Sequence, residues 1–144
     1  MSWPVTYRRR VRFSDSDAQG VVFNGNFLTY FDDTVTDWLE ELGYGWERLT
    51  ATGHDLVLAR VEVDFRSPGR IGDTLVTGVR ATGFGNSSIR LALETWDEAT
   101  GRTVVEGRQV QVVIDPVTFT PRPVPDFLVE AIEALQGSVS ARPE

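Results

Sequence analysis

From Phe27 to Leu42 the apolar residues Phe27, Leu28, Tyr30, Phe31, Val35, Trp38, Leu39 and Leu42 recur at three- and four-residue spacing, the period that gathers side chains on one face of a helix. Asp32, Asp33, Asp37, Glu40 and Glu41 fall between them, and Gly43 follows as a residue suited to a left-handed cap. A stripe that includes Trp38 and two phenylalanines must be buried, so the rest of the chain has to supply its cover. Ahead of the helix runs a polar, glycine-punctuated loop, Phe13-Ser14-Asp15-Ser16-Asp17-Ala18-Gln19-Gly20-Val21-Val22-Phe23-Asn24-Gly25-Asn26. The helix start behind it leaves backbone N–H groups without partners inside the helix, and such a start favours negative charge.

The cover is predicted to be a sheet. Trp3 to Phe13 alternates, with Trp3, Val5, Tyr7, Val11 and Phe13 on one face, Thr6, Arg8, Arg10 and Arg12 on the other, and Arg9 as the interruption. After a connector over Tyr44–Gly53, the period of two returns from Leu56 to Phe65. Ser67-Pro68-Gly69-Arg70-Ile71-Gly72-Asp73 turns the chain into a strand over Thr74–Thr82, and the Gly83–Asn86 hairpin leads to Ser88–Trp96. A last strand spans Thr103–Ile114, so the final three strands read as an antiparallel meander. Asp115–Pro125 is too rich in proline for a central strand, and Phe127–Leu135 has the spacing of a short helix. One helix cannot cover both faces of five strands. The simplest packing is α+β, a strongly curved antiparallel sheet wrapped around the central helix, with association into at least a dimer hiding the remaining face and edges. Residues 1–136 form one domain, and 137–144 are expected to be a disordered tail.

Composition narrows the chemistry. There is no cysteine and one histidine, so a thiolate nucleophile, a disulfide framework and a multi-histidine metal site are excluded. A net charge of −7 disfavours nucleic acid as a partner, no window is apolar enough for a membrane span, and a cytoplasmic location is expected. Carboxylates, hydroxyls and backbone remain as chemical groups.

The run Phe13-x-Asp15-x-Asp17-x-x-Gly20-x-Val22-x-Asn24-x-Asn26-Phe27, followed by the helix, by Asp64-Phe65-x-x-Pro68 with Gly72-Asp73, and by Asn86-Ser87-Ser88, resembles the hot-dog-fold acyl-CoA thioesterases of the 4-hydroxybenzoyl-CoA thioesterase type. The likeness covers roughly residues 5 to 125. It implies an acyl-CoA substrate split to a carboxylic acid and free thiol, with no cofactor beyond the coenzyme A of the substrate and no metal. It implies Asp17 as nucleophile or general base, and backbone N–H at Asn24 and its neighbours as oxyanion donors. Those roles agree with what the residues allow: a carboxylate near donors at the positive end of a helix. Gly20 and Gly25 would let backbone approach a ligand, with Phe23, Asn26 and Ser88 lining it. Relatives often carry histidine at the place of Asn24 and basic residues in the hairpin before Ser88. Here that hairpin holds Gly85, Asn86 and Ser87, so the phosphates would fall to Arg66, Arg70 or Arg90.

Plainer roles stand beside these. Asp15 and Asp17 suit Asx-turns, and Asp15 is read as structural; Asn24 or Asn26 suits an N-cap. Asp32 and Asp33 are solvated on the helix, with a reserve role because related thioesterases draw a carboxylate from it. His54 beside Asp55 lacks the nucleophile elbow of a triad. The rival functions are a hot-dog enoyl-CoA hydratase or dehydratase, disfavoured by the missing histidine, and a non-catalytic module that binds acyl-CoA or acyl carrier protein.

Overall fold

The computed structural model describes residues 3–139. Strands β1 (Val5–Arg10), β2 (Asp55–Phe65), β3 (Thr74–Phe84), β4 (Ser88–Asp97) and β5 (Thr103–Ile114) form an antiparallel sheet in the order β1-β3-β4-β5-β2. The meander β3-β4-β5 occupies the middle, and the strands on either side of the long helix, β1 and β2, become the two edges. The α-helices are α1 (Asn26–Glu41), α2 (Trp46–Ala51) and α3 (Asp126–Gln136). None of them is long and apolar enough to cross a membrane.

The fold is the hot-dog arrangement. Phe27, Tyr30, Phe31, Val35 and Trp38 of α1 share a core with Val5 of β1, Leu75 and Val79 of β3, Leu91 and Leu93 of β4, Val105 and Val113 of β5, and the half-buried Val61 and Val63 of β2. All five strands therefore cover one helical stripe. Phe31 and Trp38 are completely buried, and each such side chain contributes about 2–3 kcal/mol of transfer free energy. The ring of Phe31 rests directly on β5 at Gly107, where a Cβ would overlap it. The helix ends as its sequence requires, with Gly43 at a φ of 86° and the N–H of Tyr44 reaching the carbonyl of Leu39 (2.9 Å).

Several expectations shift at the edges. β1 is shorter than the alternation suggests, because the chain turns into a 3-10 segment at Phe13–Asp15, which leaves Phe13 83% exposed. Arg9 does not interrupt the inward face of β1 but occupies it, for a reason found in the loop. Leu28 falls outside the helical stripe and is 40% exposed. On β2, a register shift between Leu58 and Arg60 breaks the strict alternation at Ala59, which is exposed, and Phe65 at the strand end is also exposed. Of the expected tail, Gly137–Val139 continue from α3, with the Val139 N–H held by the Glu133 carboxylate (3.0 Å); residues 140–144 lie outside the described residues.

The close seat of Phe31 on Gly107 makes a sharp stability test. Gly107→Val is expected to lower the free energy of unfolding by about 1–3 kcal/mol through overpacking, read as a lower denaturant midpoint with an unchanged slope.

Candidate active site

The loop between β1 and α1 is a small hairpin fastened to the sheet by main-chain bonds. Ser16 bridges Val22, the Asp17 N–H donates to the Val21 carbonyl (2.9 Å), and the Gly20 N–H closes the reversal on the Asp17 carbonyl (3.0 Å). Gly20 takes a φ of 77°, where a side chain would be strained. The returning arm docks on the turn between β2 and β3. Val21 bridges Arg70, and the Val22 N–H reaches the Gly69 carbonyl (2.8 Å). Gly69 itself is buried, and a Cβ there would lie 2.9 Å from Leu75 and 3.2 Å from Val22, so its smallness lets the loop settle.

Asp17 is half-buried at the bend. Its Oδ1 accepts the Gln19 N–H (2.8 Å) in the Asx-turn its position suggests, while its Oδ2 takes no hydrogen bond among the described residues. At the helix start the N–H groups of Asn26, Phe27 and Leu28 turn back to the carbonyls of Phe23 (2.9 Å), Asn24 (3.3 Å) and Gly25 (3.2 Å). The N–H groups of Asn24 and Gly25 donate no hydrogen bond among the described residues, and no side chain caps the helix. A carboxylate with one open oxygen and a pair of open donors at a positive helix end thus belong to one loop.

Asn24 and Asn26 are not side-chain caps. Instead the Asn26 Nδ2 donates to the main-chain carbonyl of Asp15 (2.7 Å). Gly25 has an ordinary helical φ of −64°, and a Cβ on it would come 3.1 Å from the half-exposed ring of Phe23, so its value is space beside that ring. Asp15 is buried and structural. It accepts Arg9 Nη2 on Oδ1 (2.8 Å) and the Arg12 N–H on Oδ2 (2.8 Å). Arg9 therefore faces inward because its partner is there, a pairing that alternation alone does not reveal. Burial opposes ionisation of Asp15, but the Arg9 and Arg12 hydrogen bonds and positive charges outweigh it and hold the carboxyl below its ordinary pKa.

The remaining candidates separate. Arg66 is half-exposed and already paired with Glu106 (3.3 Å) and Asp64 (3.7 Å), at one end of a ladder with Arg108 and Glu62. Arg70 lies beside the loop, with no hydrogen bond or ion pair to its guanidinium among the described residues. Ser88 is buried at the start of β4, and Arg90 lies against Gly83 on the face away from α1, flanking a cleft of about 280 Å³ with Arg60, Glu62 and Arg108. Both share rungs with Val57 and Arg60 through Val112 and Val110, whereas the loop lies at the Phe65 end of the sheet. Trp96 lies eight positions along β4 from Ser88, roughly 26 Å.

Two groups gain meaning from the structure. Asp32 lines the mouth of a cleft of about 350 Å³ between α1 and β2, with Val35, Leu39, Leu56, Leu58 and Gln111. Asp32 is exposed, as the sequence suggests, and partial burial and then the charge of Asp33 raise its pKa. His54 packs edge-on against Phe127 with its Nδ1 3.0 Å from the Thr52 hydroxyl, and burial followed by Arg122 lowers its pKa; nothing there forms a triad.

A family model described as the thioesterase-like superfamily matches residues 11–132. Over 127 residues the chain is 25% identical to the acyl-CoA thioester hydrolase YbgC of Escherichia coli, covering 88% of this chain and 91% of that protein. A shorter match, 32% identical over 65 residues, takes in 45% of this chain and spans about half the length (51%) of an Aquifex aeolicus relative. Among solved structures, a thioesterase of Thermus thermophilus complexed with coenzyme A and zinc is 32% identical with a TM-score of 0.83, covering 94% of this chain and 96% of that one.

The lowered pKa of Asp15 fixes the sign of an acid-stability effect. Its contribution is complete above the unfolded value near 3.8 and is lost as pH falls from there through the lower folded value. Asp15→Asn is expected to destabilise the protein at pH 7 and to flatten the loss of stability below pH about 3.8, measured by denaturant unfolding across that range.

Proposed function

The chain belongs to the thioesterase-like superfamily, and on that footing we propose that it hydrolyses an acyl-CoA, with Asp17 as the acting carboxylate and the N–H groups of Asn24 and Gly25 as oxyanion donors. The observation that carries the reading is the pairing, within one loop, of the half-buried Asp17, whose Oδ2 takes no hydrogen bond among the described residues, and two unoccupied donors at a helix start. The Asp17 carboxylate either attacks the thioester carbonyl or takes a proton from the water that does. In both routes the carbonyl oxygen gains negative charge in front of the two N–H groups, the carbon–sulfur bond breaks, and coenzyme A leaves as a thiol after taking a proton. Water supplies the oxygen of the product carboxylic acid. Fixed donors at a helix end are worth most here because they need no reorganisation as charge develops.

The acyl group is assigned to the α1–β2 cleft. That seam begins at the edge-on contact of Phe27 with Phe65 and passes Val35, Leu39, Leu56 and Leu58. Asp32 stands six residues along α1 from Asn26, about 9 Å, which suits an acyl chain leaving the helix start. The raised pKa of Asp32 also motivates the rival assignment of the carboxylate role to the helix.

The unpaired edge of β2, with Leu58 and Phe65 exposed and Trp46 67% exposed beside it, supports a homodimer formed about a two-fold axis through that strand. Antiparallel pairing of two β2 strands sets the Phe65 end of one against the Asp55 end of the other. That brings Ser88 and Arg90 of a second copy toward the loop from which they are remote within a single chain. Such a dimer would close the cleft and give the coenzyme a cationic neighbour.

Two measurements decide these readings. Asp17→Asn is expected to lower kcat for acyl-CoA hydrolysis by at least about 100-fold, with free thiol as the readout, and Asp32→Asn by less than about tenfold; the reverse order would move the chemistry to the helix. Leu58→Glu is expected to give monomers by sedimentation and to reduce kcat/KM more than tenfold; a fully active dimer would refute assembly through β2.

A further inference from the structure

We propose that Asp15, together with Arg9 and the side chain of Asn26, is a positioning unit that sets the separation between the Asp17 carboxylate and the N–H donors of Asn24 and Gly25. The inference rests on the reading of Asp17 as the acting group, and extends it to residues that act by placing the loop.

Asp15 uses both its side chain and its main chain. Oδ1 receives Arg9 and Oδ2 receives the Arg12 N–H, each at 2.8 Å, while the Asp15 N–H donates to the Arg12 carbonyl (3.0 Å). Its carbonyl accepts two donors at once, the Phe23 N–H (2.9 Å) and the Asn26 Nδ2 (2.7 Å). Phe23 and Asn26 flank the two open donors, and Asp17 lies two residues beyond Asp15 in the other direction. One buried residue is therefore the common reference for the carboxylate and for the oxyanion donors.

Stability accounts for only part of the pair beneath it. Arg9 Nε is buried without a hydrogen-bond partner, as is the Tyr30 hydroxyl under the guanidinium, whose carbon lies 5.2 Å from the ring centroid. The pair is part-buried, with the Arg9 side chain 32% exposed, and it leaves polar atoms unsatisfied, whereas apolar residues of similar volume often support a fold as well. What the pair supplies is orientation: a planar cation that lies over the Tyr30 ring and hydrogen-bonds Asp15 fixes where that carboxylate stands. Tyr30, with its pKa pushed up to about 12 by burial and then by the charge of Asp15, stays neutral throughout this arrangement. Small misplacements are costly at such a site, since a shift of about 1 Å can slow a reaction about 100-fold.

The test uses Asn26→Ala and Asp15→Asn in the full chain. Asn26→Ala is expected to lower kcat for acyl-CoA hydrolysis about 10- to 100-fold while KM stays within about threefold. The acid limb of the rate profile should remain where the parent has it, because the Asp17 carboxylate is untouched. Amide resonances of Asn24 and Gly25 should shift in the same variant, a readout independent of turnover. Combining Asp15→Asn with Arg9→Met should be no worse than the worse single change. A folded Asn26→Ala protein with parental kcat and unmoved amides would overturn the inference. So would loss of the acid limb in Asp15→Asn, which would make Asp15 the base. A parent protein that hydrolyses no acyl-CoA would sink the thioesterase reading instead, and the amide shifts would still judge the positioning.

Discussion

The packing of one helix into one curved sheet sets the frame to which everything else is referred. With Phe31 seated on Gly107 and Trp38 fully enclosed, α1 has no freedom to slide or roll, and its start occupies one place relative to the strand ends. A helix dipole is useful to chemistry only when its end is held still. Here the hydrophobic core does that holding from several residues away, and the polar loop inherits the precision.

Upon that frame the loop adds a second kind of constraint. It contributes little apolar surface, with Val22 as its deeply buried residue, and is instead stitched by backbone hydrogen bonds to the β2–β3 turn and to Asp15. The turn is stitched in its own right: Gly72 donates to the Val11 carbonyl (3.0 Å), Val11 to the Asp73 carbonyl (2.8 Å), and Arg102 to the Ser67 hydroxyl (2.6 Å) and Pro68 carbonyl (2.8 Å). Turn and loop therefore brace each other, which is the physical content of the Asp64–Asp73 segment that accompanies the loop in the sequence.

Much of this was legible from residue order. The helix, the meander and the long strands declare themselves by period, because burial on one face leaves a regular imprint at α1 and at β3 to β5. The edges are less legible: β1 and β2 each pair on one side only, so fewer neighbours enforce alternation, and Phe13, Ala59 and Phe65 escape it. At the site, the Asx-turn of Asp17 was legible from its place in the loop, whereas the inward turn of Arg9 was not. An arginine where a strand calls for an apolar residue signals a buried acid, but sequence does not say which acid. Asn26 misled for a related reason: position at a helix start suggests a cap, and only the fold shows that its amide is taken by a carbonyl eleven residues earlier.

The main-chain stitching of the loop has an evolutionary corollary. Because Val21, Val22 and Phe23 are held through their backbone groups, the identities of neighbours such as Ala18, Gln19 and Asn24 are only lightly tied to folding. Substitutions there can drift without unfolding the protein, and selection can retune the rim of the site while the hydrogen-bonded track beneath it stays fixed. A lineage with this architecture can explore new substrates at small cost to its scaffold.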